Sequence, residues 1–314
     1  MLNQLQKLIQ EFLEYLEIEK NRSQLTVSNY SFYLKRFFDF AKIMEPAQIS
    51  QDKVRQFRLY LNRLVSGQKN LSKATQNYHI IALRSFLKYL AKRDIVTLPA
   101  EKLELAKISD RTIGFLEGGD LERILAAPLA VKSPAIIQLR DKAILELFFS
   151  TGLRVSELAN LKIDSINLKK DEFTVRGKGD KPRVVFLSNQ ARYWLKQYSD
   201  KRQDMDRCLF ISHDRASAKR QTAESNRSVA LTPRSIQRLV QKYARAAGIT
   251  KEVTPHTLRH SYATDLLMNG ADIRSVQAML GHSSITTTQI YTHVTNQQLR
   301  DVHKAFHGRR RDKD

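Results

Sequence analysis

The chain has a single cysteine, Cys208, among its 314 residues. One thiol can build neither an intrachain disulfide framework nor a cysteine-based zinc site, so a reducing compartment, the cytoplasm, is expected. No apolar run approaches the roughly 20 residues that a membrane span requires. The N-terminal stretch MLNQLQKLIQEFLEYLEIEK is charged and amphipathic and lacks a small-residue cleavage site. Neither a signal peptide nor a membrane partner is expected. The H-E-x-x-H pattern is missing, and His256, His260, His282 and His293 have no acidic residue at ligand spacing, so no metal is expected. The P-loop spacing G-x-x-x-x-G-K-[ST] is absent too, and no cofactor is expected. Acidic residues are also in short supply. Against 53 Lys and Arg stand 32 Asp and Glu, a formal net charge of +21. Such an excess favours an extended polyanion, with nucleic acid ahead of an anionic membrane surface. Charge alone does not separate an enzyme from a passive binder.

What is present is mostly helical patterning. Leu5, Leu8, Phe12 and Leu16 recur at three and four, as do Tyr30, Leu34, Phe37 and Ala41, then Ile80, Leu83, Leu87 and Leu90. Ser72 is placed to cap the third stripe, and a shorter helix is expected over 52–65, with Pro46 and Gly67 as breaks. The periodicity then lapses. This predicts a helical domain over 1–98, a linker over 99–113 and a second domain over 114–314. In the second domain, DLERILAA and IIQLRDKAILELFFSTG read as helices, the latter stopped by Gly152. EFTVRGKGDKPRVVFL, residues 172–187, reads as a hairpin, with β-branched runs on both sides of a Gly, Asp and Pro turn. RCLFIS suggests a short strand, and the polar stretch 213–232 a loop. Helices are expected again over 233–247, 255–269 and 272–280. The predicted fold class is mainly α, with a mixed α/β second domain that contains a small antiparallel sheet.

Some positions carry chemistry. In VTPHTLRHSYATDLL, Thr254 is a good N-cap and Pro255 suits the first helical position. His256 then falls in the first turn, where free backbone N–H groups favour anions, and Arg259 shares its face. In STGLRVSELANL, Arg154 follows a glycine-marked helix end, with Glu157 close enough to pair with it or to cap the next helix. Lys178 sits in the turn RGKGDK, where flanking glycines allow close backbone approach to a ligand. In MLGHSSITTTQIYTHV, Gly281 ends a helix, His282 follows, and Tyr291 comes nine residues later. Each stretch taken alone is equally compatible with a capped helix end, a solubilising charge or a packed aromatic.

Taken in order, TGLRVSEL, GKGDK, HTLRHSYAT and LGHSSITTTQIYTHV resemble the successive signature boxes of the tyrosine recombinases, the integrase family, and most closely its Xer branch. The resemblance spans essentially the whole chain. It implies a SAM-like core-binding domain followed by a catalytic domain with a C-terminal exchange helix. By position it implies Arg154, Lys178, His256, Arg259 and His282 around a phosphate, with Tyr291 as nucleophile. His260 and His293 fall inside the boxes as structural or supporting residues. The implied partners are double-stranded DNA and a tetramer, of one or two kinds of subunit, on two DNA sites. Whether a paralogue shares that tetramer, and whether a cell-division DNA translocase activates it, stay open. So do chromosome or plasmid dimer resolution at a dif-type site, integration of a mobile element and, less favoured, type IB topoisomerase action. The stretch 213–232 is longer and more polar than its Xer counterpart, which puts its DNA contacts in doubt. NQQLRDVHKAFHG, with Leu299, Val302 and Phe306, could dock on a neighbouring protomer or on its own domain.

The chemistry explains the residue types. A phenol of pKa near 10 is about 3 units from ionising at neutral pH, a gap of about 4 kcal/mol. A cationic site favours the phenolate. Two guanidiniums can grip non-bridging oxygens and offset the charge of a pentacoordinate transition state. The implied leaving group is a deoxyribose hydroxyl that needs a proton, the task the family gives to the lysine at Lys178.

Overall fold

A computed structural model describes residues 4–66, 69–108, 114–177, 181–213, 230–282 and 284. The chain divides into two compact units, Met1–Arg111 and Thr112–Asp314. Among the described residues, no helix is long and apolar enough to cross a membrane.

The first unit is built on α1 (Gln4–Ile18), α2 (Gln24–Ala41), α3 (Gln51–Arg63) and α4 (Lys73–Ala91). Three of these helices start the same way: the hydroxyls of Ser23, Ser50 and Ser72 accept from the backbone N–H three residues on, so one orphan donor in each first turn is satisfied. The α1 stripe of Leu5, Leu8, Phe12 and Leu16 is buried, together with Leu34 and Phe37 of α2 and Ile80, Leu83, Leu87 and Leu90 of α4. The Phe12 ring meets Phe86 edge-on at 5.4 Å between centroids. Helix α3 ends at Arg63, short of the expected Val65. Val65–Ser66 instead forms β1, paired antiparallel with β2 (Lys69–Asn70), a two-residue ladder too short to leave an alternation in the sequence.

The first unit also reaches beyond residue 98. Ala100, which opens a single 3-10 turn, Ala100–Lys102, and Leu103, which caps it, are buried in its core. The Asn77 amide exchanges two hydrogen bonds with the backbone of Ala106, at 2.8 and 3.0 Å. One such turn has no periodicity to recognise, so this stretch reads as linker although it is packed through residue 106.

The second unit contains α5 (Gly118–Ala130), α6 (Ala135–Thr151), α7 (Val155–Ala159), β3 (Glu172–Arg176), β4 (Pro182–Phe186), α8 (Asn189–Lys201), α9 (Pro233–Ala246), α10 (Pro255–Met268) and α11 (Ile273–Leu280). Helix α6 is the axis, packed by α5, α8 and α10. It is buried on all sides from Arg140 to Phe148, and its charges are paired internally. Arg140 bonds Asp141 at 2.7 Å, Lys142 bonds Glu146 at 2.6 Å, and the Tyr243 hydroxyl donates to Asp141 at 2.8 Å. These pairs meet the requirement that buried charge be compensated. β3 and β4 form the expected antiparallel hairpin, with Phe173 opposite Val185 and both buried.

Two elements of this unit differ from the sequence reading. Helix α8 has no counterpart in it, although Ala191, Leu195 and Tyr198 are buried at helical spacing behind the Ser188 cap. RCLFIS forms isolated bridges, Lys162 with Cys208 and Ile211 with Ala230, rather than a strand. Its Leu209, Phe210 and Ile211 are buried in succession, which is a core run without a partner ladder. Residues 214–229, most of the polar stretch, and the expected C-terminal helix over 296–308 lie outside the described residues.

Candidate active site

The site begins where α6 stops. Gly152 adopts φ +58° and its N–H donates to Phe148 O at 2.9 Å, a left-handed C-cap. A Cβ there would lie 2.4 Å from the Tyr262 ring, so the turn needs glycine for space as well as for φ. The sharp reversal puts Arg154 at the N-cap of α7. Glu157 fills both roles open to it: one carboxylate oxygen accepts from the Arg154 backbone N–H at 2.8 Å and the other from the guanidinium Nη1 at 2.7 Å. Arg154 Nη2 reaches the Gly281 carbonyl at 3.0 Å.

Helix α10 supplies the opposing wall. The Thr254 hydroxyl accepts from Thr257 N and Pro255 occupies the first turn, as the sequence predicts. His256 follows in that turn and is exposed. One turn on, Arg259 is only 4% exposed, and its charge is met by two helix C-termini. Nη1 donates to Gly152 O at 2.5 Å and Nη2 to Leu280 O at 2.6 Å, the carbonyl ends of α6 and α11. Terminal carbonyls carry the negative end of the helix dipole, which explains how a guanidinium can be buried here. Gly281 closes α11 at φ +63°, and His282 comes next. The His282 backbone is fixed at both ends by Gln277, through His282 N to Gln277 O at 3.1 Å and Gln277 Nε2 to His282 O at 3.2 Å. Its Nε2 lies 3.1 Å from Arg259 Nη2. Because a guanidinium can only donate, Nε2 accepts and Nδ1 carries the neutral ring's proton.

The electrostatics follow from this crowding of cations. Burial, then the charges of Arg259 and Arg154, lower the pKa of His282 to about 4. Burial, then His256 and Arg259, bring His260 to about 4. His256 is lowered by desolvation of its protein-facing side and then by Arg259 and Arg154. All three imidazoles are therefore neutral near pH 7. For Glu157, burial works against ionisation, but the hydrogen bonds from Arg183 and Arg154 prevail and hold its pKa at about 2.

Arg183 is the residue the sequence reading missed. It approaches Glu157 in fork geometry, Nη1 to Oε1 at 2.8 Å and Nη2 to Oε2 at 2.7 Å, and its Nε donates to Met279 O at 3.2 Å. A signal for it exists. On β4, Arg183 shares the face of buried Val185 two residues on, so strand alternation puts an arginine on the inward side.

Of the predicted site residues, Arg154, His256, Arg259 and His282 stand together. Lys178, Tyr291 and His293 lie outside the described residues. The stem of the Lys178 turn is described: Gly177 N donates to Lys181 O at 2.9 Å. It adjoins the cluster, since a Cβ on Gly177 would lie 3.2 Å from Arg183 Nη1 and 3.5 Å from Arg154 Nη1. Guanidiniums, neutral imidazoles and the N-terminus of α10 make a place suited to a phosphodiester.

Comparison with known proteins agrees in both units. Residues 115–298 match the phage integrase family, and residues 9–94 match the phage integrase N-terminal SAM-like domain. The chain is 38% identical to the tyrosine recombinase XerC of Thermodesulfovibrio yellowstonii, over 95% of each chain. It is 36% identical to the tyrosine recombinase XerD of Lacticaseibacillus casei, over 96% of this chain and 99% of that one. Its fold is similar to that of the XerH site-specific recombinase bound to a palindromic difH substrate in a post-cleavage complex. The TM-score is 0.68 and the identity 24%, over 94% of this chain and 83% of that one.

Proposed function

The chain belongs to the phage integrase family as a tyrosine-type site-specific recombinase, and from that premise we propose that it cuts and rejoins duplex DNA through a 3′-phosphotyrosyl link on Tyr291. Arg154 and Arg259 hold the non-bridging oxygens of the scissile phosphate and offset the charge added as the phenolate attacks. His282 donates from the proton-bearing nitrogen of its neutral ring. Neutral His256, at the helix N-terminus, accepts the phenol proton. Lys178 gives a proton to the departing 5′-oxygen. The P–O bond lost to deoxyribose is replaced by one to Tyr291, so the link keeps its energy and a second strand's hydroxyl reseals it without ATP.

The observation that carries this reading is the meeting at the end of α11. Arg154 holds the carbonyl of Gly281, Arg259 that of Leu280, and His282 follows directly within 3.1 Å of Arg259. Family relatives named XerC and XerD and the difH complex favour an Xer-type role, with a tetramer on two dif-like sites and resolution of chromosome or plasmid dimers.

The test starts from nicked fragments of the host genome, from which DNA covalently held by the protein is recovered and sequenced. A supercoiled plasmid carrying the recovered site twice is then incubated with the protein in EDTA without ATP. Two separate circles are expected. Relaxation alone would indicate a topoisomerase, and no change in the DNA would count against strand exchange.

A further inference from the structure

A second arginine stands behind the first. Arg183 never reaches the solvent side of the cluster: its side chain is 9% exposed and that of Glu157 5%, against 26% for Arg154. Glu157 is ionised and sits between two guanidiniums, bonded to Arg154 at 2.7 Å and to Arg183 at 2.7 and 2.8 Å. A carboxylate that faced Arg154 alone would cancel its charge where an anion must bind. With Arg183 taking the fork, the carboxylate is balanced from behind, and Arg154 presents its charge to the open side. Arg183 also grips the Met279 carbonyl at the end of α11, two residues before the Gly281 carbonyl that Arg154 holds. Its side chain packs so closely on Gly281 that a Cβ there would lie 2.8 Å from Arg183 Cδ.

We propose that Arg183 is a positioning residue of the phosphate site, which neutralises Glu157 from the buried side so that Arg154 keeps its charge for the scissile phosphodiester. The inference deepens the recombinase reading and rests on it for the identity of the anion. It does not rest on that reading for the charge balance.

The balance can be probed without DNA. The variants are Arg183→Met, Arg183→Lys and the double variant Glu157→Gln/Arg183→Met, which removes both members of the pair and restores the cluster's net charge. Inorganic phosphate is titrated while the His282 ring resonances are followed by NMR, with thermal melts to check folding. Arg183→Met should need about 3- to 10-fold more phosphate, and the double variant should return to within about twofold of wild type, since about 1.4 kcal/mol corresponds to tenfold. If Arg183→Met does not fold, the double variant and Arg183→Lys remain, and these should bind phosphate within about twofold and about threefold of wild type, respectively. Unchanged binding by folded Arg183→Met, or a double variant no better than the single, would overturn the proposal. So would tenfold weaker binding by a folded double variant or by folded Arg183→Lys.

The second arm uses a nicked duplex carrying the trapped site. Arg183→Met should slow single-turnover cleavage about 10- to 100-fold, with DNA affinity within about threefold. On a duplex with a methylphosphonate at the scissile position, which has one fewer charge to balance, the ratio to wild type should shrink below about threefold. An equal loss on both duplexes would make Arg183 a scaffold residue only and overturn the proposal. If wild type forms no adduct while the phosphate arm gives the expected result, the recombinase reading fails and the role of Arg183 in an anion site stands.

Discussion

Arg259 donates from Nη1 to the carbonyl of Gly152 at 2.5 Å, joining residues 107 positions apart in the chain. The same guanidinium caps Leu280, so one side chain ties the ends of two helices and aims a cation into the site. Arg259→Ala should therefore cost stability as well as rate. Two buried carbonyls lose their donor, at about 1–3 kcal/mol each. Cleavage should fall about 100- to 1,000-fold, the scale of a lost transition-state donor. Arg259→Lys should recover part of the stability but little of the rate, because an ammonium cannot reproduce the fork. Urea melts and single-turnover cleavage measure the two effects separately.

Gly152→Ala should destabilise the second unit without touching a charged group. The left-handed φ costs a non-glycine residue about 1–2 kcal/mol. The new methyl would lie 2.4 Å from the Tyr262 ring, which adds an overpacking cost of about 1–3 kcal/mol. Urea unfolding should show the combined loss. A midpoint within error of wild type would mean that the turn relaxes freely.

Folding stability should depend on pH through the imidazoles of the site. His260 and His282 have folded pKa values of about 4, below the ordinary 6.5, and His256 is lowered as well. Between about pH 6.5 and 4 the unfolded chain binds protons that the folded chain refuses, so stability falls as pH drops through that window. Glu157 adds a second loss lower down, from its ordinary 4.5 toward about 2, as its folded-state pairing is protonated away. His282→Gln should flatten the upper slope. Urea midpoints at pH 7, 6 and 5 for both proteins check this, and parallel slopes would remove His282 as a source.

Some of this was legible because it is local. The α1 stripe from Leu5 to Leu16 and the helix stops at Gly152 and Gly281 each depend on residues within a turn or two, and they are found where the spacing places them. The ordered boxes put Arg154, His256, Arg259 and His282 in one neighbourhood. What the pattern did not convey is long-range or aperiodic. Strand alternation alone could place Arg183 on the inward side, but the partner that lets its charge be buried there, Glu157, lies 26 residues earlier. The Ala100–Lys102 turn is a single aperiodic turn, and the Asn77–Ala106 clasp that ties the following residues to the first unit spans 29 residues. Helix α8 buries Ala191, Leu195 and Tyr198 at helical spacing, with Trp194 partly packed on the same core, but it follows closely on the apolar strand β4 and its own composition is mostly polar.

Lys178→Ala should slow cleavage while leaving DNA affinity nearly unchanged, with a loss of about 100- to 10,000-fold for a removed general acid. A 5′-bridging phosphorothiolate, whose thiolate departs without a proton, should restore most of the rate. Comparing the two substrates under single-turnover conditions checks the assignment. A variant equally slow on both would take Lys178 out of the acid role.

The proposed recombinase mechanism turns on one covalent bond. The protein is incubated with nicked DNA carrying its trapped site, denatured and digested, and the peptide that retains a nucleotide is sequenced by mass spectrometry. A 3′-phosphate is expected on Tyr291, one of eleven tyrosines, with no adduct from Tyr291→Phe although that variant still binds DNA. An adduct on any other residue, or an undiminished adduct from Tyr291→Phe, would contradict it.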